Sequence, residues 1–276
     1  MKCLVINLDR SRDRLDHVTA EFARIGVAFE RVAAIDVIDR PDLSRLATKR
    51  MSSVEVACLL SHRACWAIIA AGDDSHGAVF EDDVVLSAGA GDLLGDAGWI
   101  PADADIVKIE TFRQKISLKR KRISCGSSFA ASRLLSAHIG AAGYILSKQA
   151  ARDLFDATEN ADTPVDQLIF NPLFPTSSSK VIYQLIPAIC MQDRLLGKEG
   201  SMLPSLLKPD RMRRSMATRA SERGMKNAVT KARTEIRRLV IQIVNIWRLR
   251  QRTIIPLGQR GGQASTPHTQ HRQNAL

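Results

Sequence analysis

The stretch Ala78-Val79-Phe80-Glu81-Asp82-Asp83-Val84-Val85-Leu86 decides how this chain is read. Val79, Phe80, Val84, Val85 and Leu86 favour strands, so residues 78–86 read as one buried or half-buried strand. The adjacent carboxylates Glu81, Asp82 and Asp83 repel one another and resist burial, so such a strand needs a cation or a wet rim. In open α/β sheets, ligands collect at the carboxyl ends of strands. Carboxylates are also the hard oxygen ligands that Mg²⁺ and Mn²⁺ prefer, often sharing the ion with substrate phosphates. Two readings stand side by side: a metal–diphosphate site, or an acidic turn after an edge strand.

Upstream of this run the pattern alternates. Cys3–Leu8 reads as a strand, Arg12–Ile25 as a helix through Leu15, Val18, Phe22 and Ile25, and Ala28–Ala34 as a second strand. A β-α-β start predicts a parallel pair joined by a right-handed crossover. Glu55–Ala70 reads as a further helix capped by Ser52 or Ser53. Downstream, Asp105–Ile109, Gly143–Leu146 and Val181–Ile186 read as strands, Lys148–Phe155 as a helix start, and Pro164–Leu173 as a loop with a short helix. Residues 113–133 are basic and serine-rich and read as a hairpin or loop. The alternation predicts an α/β domain with an open, mostly parallel sheet flanked by helices over residues 1–207.

Charge divides the 276-residue chain. Residues 208–276 carry 16 Lys/Arg against 3 Asp/Glu, leaving 24 basic and 26 acidic residues for 1–207. The excess of base therefore belongs to the C-terminal quarter. Within 208–255, Ile236, Leu239, Val240, Ile243, Ile246 and Trp247 fall on one helical stripe bordered by Arg233, Arg237, Arg238, Arg248 and Arg250. That is the composition of a basic amphipathic helix suited to an anionic membrane surface or a partner protein. Residues 256–276 are rich in Gly, Gln, Ser, Thr and His and read as a disordered tail. Removal of everything after about Pro209 is accordingly expected to leave the catalytic domain working. The five cysteines are scattered without a Cys-x-x-Cys pair, so neither a disulfide framework nor a zinc site is expected. No signal peptide is read at Met1–Leu8, and no run of about 20 apolar residues suited to spanning a bilayer is read in the chain. A cytoplasmic compartment follows as the expectation.

Four weaker motifs surround the acidic run. Asn7-Leu8-Asp9-Arg10-Ser11-x-x-Arg14 sits at a strand-to-helix junction, where Asp9 suits a base or ribose and Arg10 and Arg14 suit a diphosphate; an ordinary helix cap accounts for it equally. Glu55, Ser61 and His62 lie on a mostly apolar helix, Glu55 and His62 two turns apart on one face. No nucleophile pairs with His62 in an identifiable motif, so a core histidine that fixes a neighbouring acid is its ordinary account. His138-Ile139-Gly140-Ala141-Ala142-Gly143-Tyr144 sets small residues between a His and a Tyr, allowing close approach of a ligand or of another backbone. Thr163-Pro164-Val165-Asp166 places one carboxylate in a proline-led turn, as a general base, a metal ligand or simple helix-start chemistry.

The order of these motifs resembles glycosyltransferase family 25, the lipopolysaccharide-biosynthesis galactosyltransferase group, over residues 1 to about 195. Val54 and Ala57 stand where that family commonly has Gly around the second motif. The resemblance implies a GT-A-like nucleotide-sugar fold and an inverting transfer of a hexose, galactose from UDP-galactose, onto a saccharide or lipid-linked oligosaccharide. It implies Mn²⁺ or Mg²⁺ as cofactor, with Glu81, Asp82 and Asp83 as the metal–diphosphate cluster. Asn7, Asp9, Arg10 and Arg14 match the nucleotide end; Glu55, Ser61, His62, His138 and Tyr144 match substrate-binding positions. Asp166, with Asp82, completes the catalytic set, Asp166 as the base. Such an enzyme would work peripherally at the inner face of the cytoplasmic membrane, held by the basic segment. Two other classes remain open: a nucleic-acid-binding protein using that segment, though it lacks interleaved aromatics, and a metal-dependent phosphohydrolase or nucleotidyltransferase.

Overall fold

Strand β1 (Lys2–Asn7) alternates Cys3 and Val5 to one face with Leu4 and Ile6 to the other, and all four are buried. A strand apolar on both faces belongs in the middle of a sheet covered on both sides. The computed structural model, which describes residues 1–48, 50–126, 128–197 and 250–260, has that arrangement. Helix α1 (Arg12–Arg24) follows, Gly26 turns the chain with φ +68°, and β2 (Glu30–Ala33) lies parallel to β1. After α2 (Leu43–Leu46), helix α3 (Ser53–Ala71) leads to β3 (His76–Glu81), parallel to β1 on its other side.

Chain order continues with β4 (Val84–Leu86), α4 (Ala90–Gly95), β5 (Ile106–Lys108), β6 (Lys115–Lys119), β7 (Ile123–Ser124), β8 (Ala130–Arg133) and β9 (Gly143–Ser147). Then come α5 (Lys148–Ala157), α6 (Val165–Phe170), α7 (Pro175–Ser178), β10 (Ile182–Ile186), β11 (Cys190–Gln192) and β12 (Arg250–Ile254). The central sheet runs β2-β1-β3-β9-β5-β10-β8-β7. One apolar layer, with Leu4, Ile6, Val79 and Tyr144, packs under α3, α5 and α6; the other, with Val5, Phe80, Val107 and Ile145, packs against α1 and α4. The fold is α/β with a central mixed sheet flanked by helices, consistent with a GT-A-like arrangement.

Three expectations change. The sheet is mixed and not mostly parallel: β1–β2, β1–β3 and β5–β10 are parallel, while β3–β9, β5–β9, β8–β10 and β7–β8 are antiparallel. Parallel neighbours need a long crossover, usually a helix. Among the described residues no helix lies between β5 and β9, so the chain returns between β3 and β5 in the opposite sense. The acidic run is also not one strand. Its ladder in the main sheet ends at Glu81, Asp82 and Asp83 form a corner, and β4 joins a separate antiparallel ribbon with β11. Carried through the sheet, those carboxylates would have entered an apolar layer; the corner leaves them at its edge.

The C-terminal segment is the third. Arg250–Ile254, expected to end a helix, is a strand antiparallel to β6, and residues 256–260, expected to be disordered, are docked. Ala188 N–H donates to Pro256 O (2.9 Å), Gly258 N–H to Ala188 O (2.8 Å) and Ala88 N–H to Gln259 O (2.8 Å). Thr111 Oγ1 donates to Ile255 O (2.6 Å), and Ile255 is buried. The docking follows from backbone demand, since β6 and the 187–189 turn carry donors and acceptors that this segment satisfies. The amphipathic stripe at 236–247 and the tail beyond Arg260 lie outside the described residues. Helix α3, contrary to the reading of the sequence, is long and apolar enough by composition to cross a membrane, with mean hydropathy 1.5. In this fold its Val56, Leu59, Cys65, Trp66 and Ile69 pack into the core under the sheet.

Candidate active site

The carboxyl ends of β1, β3 and β5 converge on one group of charged side chains. Asn7 closes β1 and donates from Nδ2 to Asp82 Oδ2 (2.8 Å) and to Ser11 O (3.1 Å), while its Oδ1 accepts from Arg31 Nε (2.9 Å). Arg14, in the first turn of α1, donates from Nη1 to the other oxygen of Asp82 (2.7 Å) and lies 3.8 Å from Asp83 Oδ2. Both Asp82 oxygens are therefore committed within the protein. Burial lowers the Arg14 affinity for its proton, but Asp82 and Asp83 outweigh it and hold the guanidinium more firmly charged than usual.

Asp83 is in a different state. It is 8% exposed, its Oδ1 is buried with no hydrogen-bond partner, and its backbone O accepts from Asp193 N–H (2.7 Å). Burial, then the negative neighbour Glu81, with Arg14 opposing, push its carboxyl up to about 7. Glu81 beside it is oriented by Gln192, whose Nε2 donates to Oε2 (2.9 Å), and its Oε1 lies 3.7 Å from His62 Nε2. His62 Nδ1 is 2.9 Å from Tyr144 Oη, which accepts from Trp66 Nε1 (2.8 Å). Cys58, His62 and Glu81 form a cluster capable of coordinating a divalent cation, their ligand atoms all within 4.8 Å of one another.

A second half of the site was not read from the sequence. Lys108 and Glu110 are both 0% exposed and pair at 2.6 Å. Lys108 Nζ also donates to Gly140 O (2.5 Å) and stands 4.3 Å above the ring of Phe170 in α6. Glu110 Oε2 accepts from Ala142 N–H (3.0 Å), whereas its Oε1 is buried without a partner. Burial raises the Glu110 carboxyl, with Lys108 opposing and Glu81 adding to the rise. Gly140, at φ +85°, has room for no Cβ: one would sit 2.9 Å from Glu110 Oε1. Its N–H donates to Asp166 Oδ2 (3.0 Å), so the Gly140 peptide ties the buried pair to Asp166. The signal was present in Ile106-Val107-Lys108-Ile109-Glu110: two opposite charges at strand period in an apolar run, on one face.

The remaining candidates sort by position. Asp9 pairs with Arg31, and the exposed Arg10 pairs with Asp36, so both stand at the exposed rim of the group. Glu55 does not face the site. It closes the capping box of α3, its Oε2 accepting from Ser52 N–H (2.9 Å) and Ser52 Oγ (2.8 Å), because the third residue of a helix is placed to satisfy the cap. Ser61 is likewise spent on backbone, donating to Ala57 O (2.8 Å) and accepting from Ile35 N–H (2.9 Å). Tyr144 is fully buried and touches His62, not solvent. His138 is 2% exposed with Nδ1 2.7 Å from Ile139 O, and burial and then Lys108 pull it down to about 3, so it is neutral.

Mn²⁺ or Mg²⁺, implied by the sequence resemblance, can be tested against these donors. The unpartnered, buried Asp83 oxygen and the nearby Glu81 carboxylate are hard oxygen donors of the kind that Mg²⁺ and Mn²⁺ take, so their chemistry fits either ion. Asp82, filled by Asn7 and Arg14, does not belong to that pair; it supports the corner.

An α/β fold with acids at its strand ends is shared by enzymes of many classes, and sequence comparison gives the family. Residues 1–169 match the model of Glycosyltransferase family 25 (LPS biosynthesis protein), and the chain belongs to that family. It is 32% identical over 221 residues to the lipooligosaccharide biosynthesis protein lex-1 of Haemophilus influenzae, covering 76% of this chain and 70% of that protein. It is 32% identical over 259 residues to the lacto-N-neotetraose biosynthesis glycosyltransferase LgtB of Neisseria meningitidis, covering 85% and 92%. Against LgtE of Neisseria gonorrhoeae the identity is 31% over 228 residues, covering 75% and 80%. The protein is therefore an enzyme, a hexosyltransferase of the group that serves surface-glycan synthesis.

Proposed function

We propose that this enzyme transfers galactose, with inversion, from UDP-galactose to a saccharide acceptor such as a lipid-linked oligosaccharide in surface-glycan synthesis. The observation that carries the reading is the unpartnered, buried Asp83 oxygen beside Glu81, at a corner braced by Asn7 and Arg14. Glu81 and Asp83 would hold Mn²⁺ or Mg²⁺, which when bound supplies a positive charge against the leaving diphosphate. Arg14, fixed on Asp82, adds a fixed cation near the same place. Asp166, 8% exposed and oriented by Gly140 N–H, takes the proton from the attacking acceptor hydroxyl. Asp9 and Arg10 border the nucleotide end. Gln192 sets Glu81, His62 held by Tyr144 stands beside it, and His138, neutral and buried, helps to fix the 138–142 loop.

The basic segment from residue 208 would hold the enzyme at the cytoplasmic face of the membrane, next to a lipid-linked acceptor. A panel of UDP-hexoses assayed for Mn²⁺-dependent transfer, with Asp166→Asn beside the wild type, tests the reading. Asp166→Asn is expected to keep donor binding and lose turnover. Loss of donor binding in that variant would overturn its assignment as the base, and transfer of no hexose by the wild type would overturn the donor assignment.

A further inference from the structure

One thiol in the site has no part in the transfer described above. Cys58 and His62 are one turn apart on α3, i and i+4, and so share a face. That face meets the end of β3, and Cys58 Sγ, a His62 ring nitrogen and a Glu81 oxygen all lie within 4.8 Å of one another. His62 is 1% exposed and its Nε2 has no hydrogen-bond partner, standing 3.7 Å from Glu81 Oε1. A core histidine of purely structural role would have that nitrogen satisfied. Two of the donors are also held from behind. Tyr144 Oη fixes His62 Nδ1 and is itself fixed by Trp66, while Gln192 fixes the far oxygen of Glu81. Outer partners of this kind orient metal-binding imidazoles and carboxylates.

We propose that Cys58, His62 and Glu81 form a second, softer cation site that takes Zn²⁺ and similar thiophilic divalent ions. A thiolate and an imidazole select such ions over Mg²⁺ and Mn²⁺, which favour oxygen alone. Donors of a tetrahedral Zn²⁺ stand about 3.3–3.8 Å apart, so the three side chains need to close by roughly 1 Å or less. On binding, the Cys58 thiol loses its proton to solvent, and bonds form from Sγ, His62 Nε2 and a Glu81 oxygen to the ion. The ion takes the imidazole at Nε2, the nitrogen turned away from Tyr144 Oη, and water keeps the fourth position. Glu81 is shared with Asp83, so an ion seated here withdraws a ligand from the donor-diphosphate site. Zn²⁺ therefore inhibits in competition with Mn²⁺; this consequence rests on the function proposed above, while the binding itself does not.

Co²⁺ added to the metal-free, full-length protein reports the site directly, because a thiolate ligand gives a charge-transfer band in the near ultraviolet. One equivalent of Co²⁺ is expected to produce the band, and Zn²⁺ to abolish it. Cys58→Ser and Cys58→Ala should each lose the band, keep Mn²⁺-dependent turnover, and resist Zn²⁺ at least tenfold better than the wild type. No band in the wild type, or a band that persists in both Cys58 variants, overturns the site. A band lost in those variants together with Mn²⁺-supported transfer insensitive to Zn²⁺ overturns the competition. A Cys58-dependent band in a protein without transferase activity supports the site and refutes the donor reading instead.

Discussion

Replacing Lys108 by methionine keeps the aliphatic stem and removes the cation paired with Glu110 inside the core. Both side chains are 0% exposed, so solvent screening does not reduce the effect. Removing one member of a buried ion pair costs about 3–5 kcal/mol, because the partner charge is left uncompensated. Two further losses act in the same direction: Gly140 O loses its donor at 2.5 Å, and Phe170 loses a cation 4.3 Å from its ring. One effect opposes them. Burial already raises the Glu110 carboxyl and Lys108 is the main group resisting that rise, so in the variant Glu110 takes a proton and the penalty is capped. A net destabilisation of about 3 kcal/mol is expected, a large fraction of the 5–15 kcal/mol that holds a typical domain. Urea unfolding followed by near-ultraviolet circular dichroism measures it. The double variant Lys108→Met with Glu110→Gln, which leaves no charge behind, should recover at least half of the loss. A single variant that costs under about 1 kcal/mol, or a double variant no better than the single, would refute a coupled buried pair.

Three further outcomes follow from the same geometry. Asp83 has its folded carboxyl raised to about 7 from the ordinary 3.8, so the folded state binds the extra proton between those values; metal-free protein should lose stability as pH rises from about 4 to 7, and denaturation at stepped pH should show Asp83→Asn flattening that slope. Gly140→Ala puts a Cβ 2.9 Å from Glu110 Oε1 at φ +85°, and a cost of about 1–3 kcal/mol with a fall in kcat larger than the rise in KM is expected; unchanged kinetics would disconnect Gly140 from Asp166. Truncation before Arg250 removes the partner of β6 and the hydrogen bond from Thr111 to Ile255, so a lower urea midpoint and weaker activity on soluble acceptor are expected; a truncated enzyme with full activity would show the docking to be dispensable.

Where sequence and structure agree, the reason is local. The β-α-β start is written in Cys3–Ile6 and in the 15, 18, 22 spacing of α1, because period and burial coincide there. The acidic run stood out in the sequence because three carboxylates in an apolar context are costly unless a cation or water meets them. Its division into a strand, a corner and a ribbon was not legible, since Val84–Leu86 favours a strand in either sheet and only pairing with Cys190–Gln192 decides. The sense of β9 escaped for a similar reason: Gly143–Ser147 is equally strand-like in both directions, and the missing crossover helix is what fixes it. Glu55 and Ser61 looked like ligands because their motif matched, yet the nearest unsatisfied groups were backbone ones. Lys108 and Glu110 were passed over inside a run read as an ordinary strand, although opposite charges on one buried face carry the same signal as the acids at 81–83.

Hexose transfer from UDP-hexose, measured against Mn²⁺ concentration for the wild type and Asp83→Asn, bears most directly on the metal grip proposed at the β3 corner. The variant removes the charge of the one unpartnered Asp83 oxygen and leaves Asn7, Arg14 and Asp82 in place. Turnover should fall about 10²–10³-fold or more at saturating donor, as for loss of one group aimed at developing charge, with unchanged circular dichroism. Near-wild-type turnover with an unaltered Mn²⁺ dependence would contradict the assignment of Asp83 as the residue that holds the ion on the donor diphosphate.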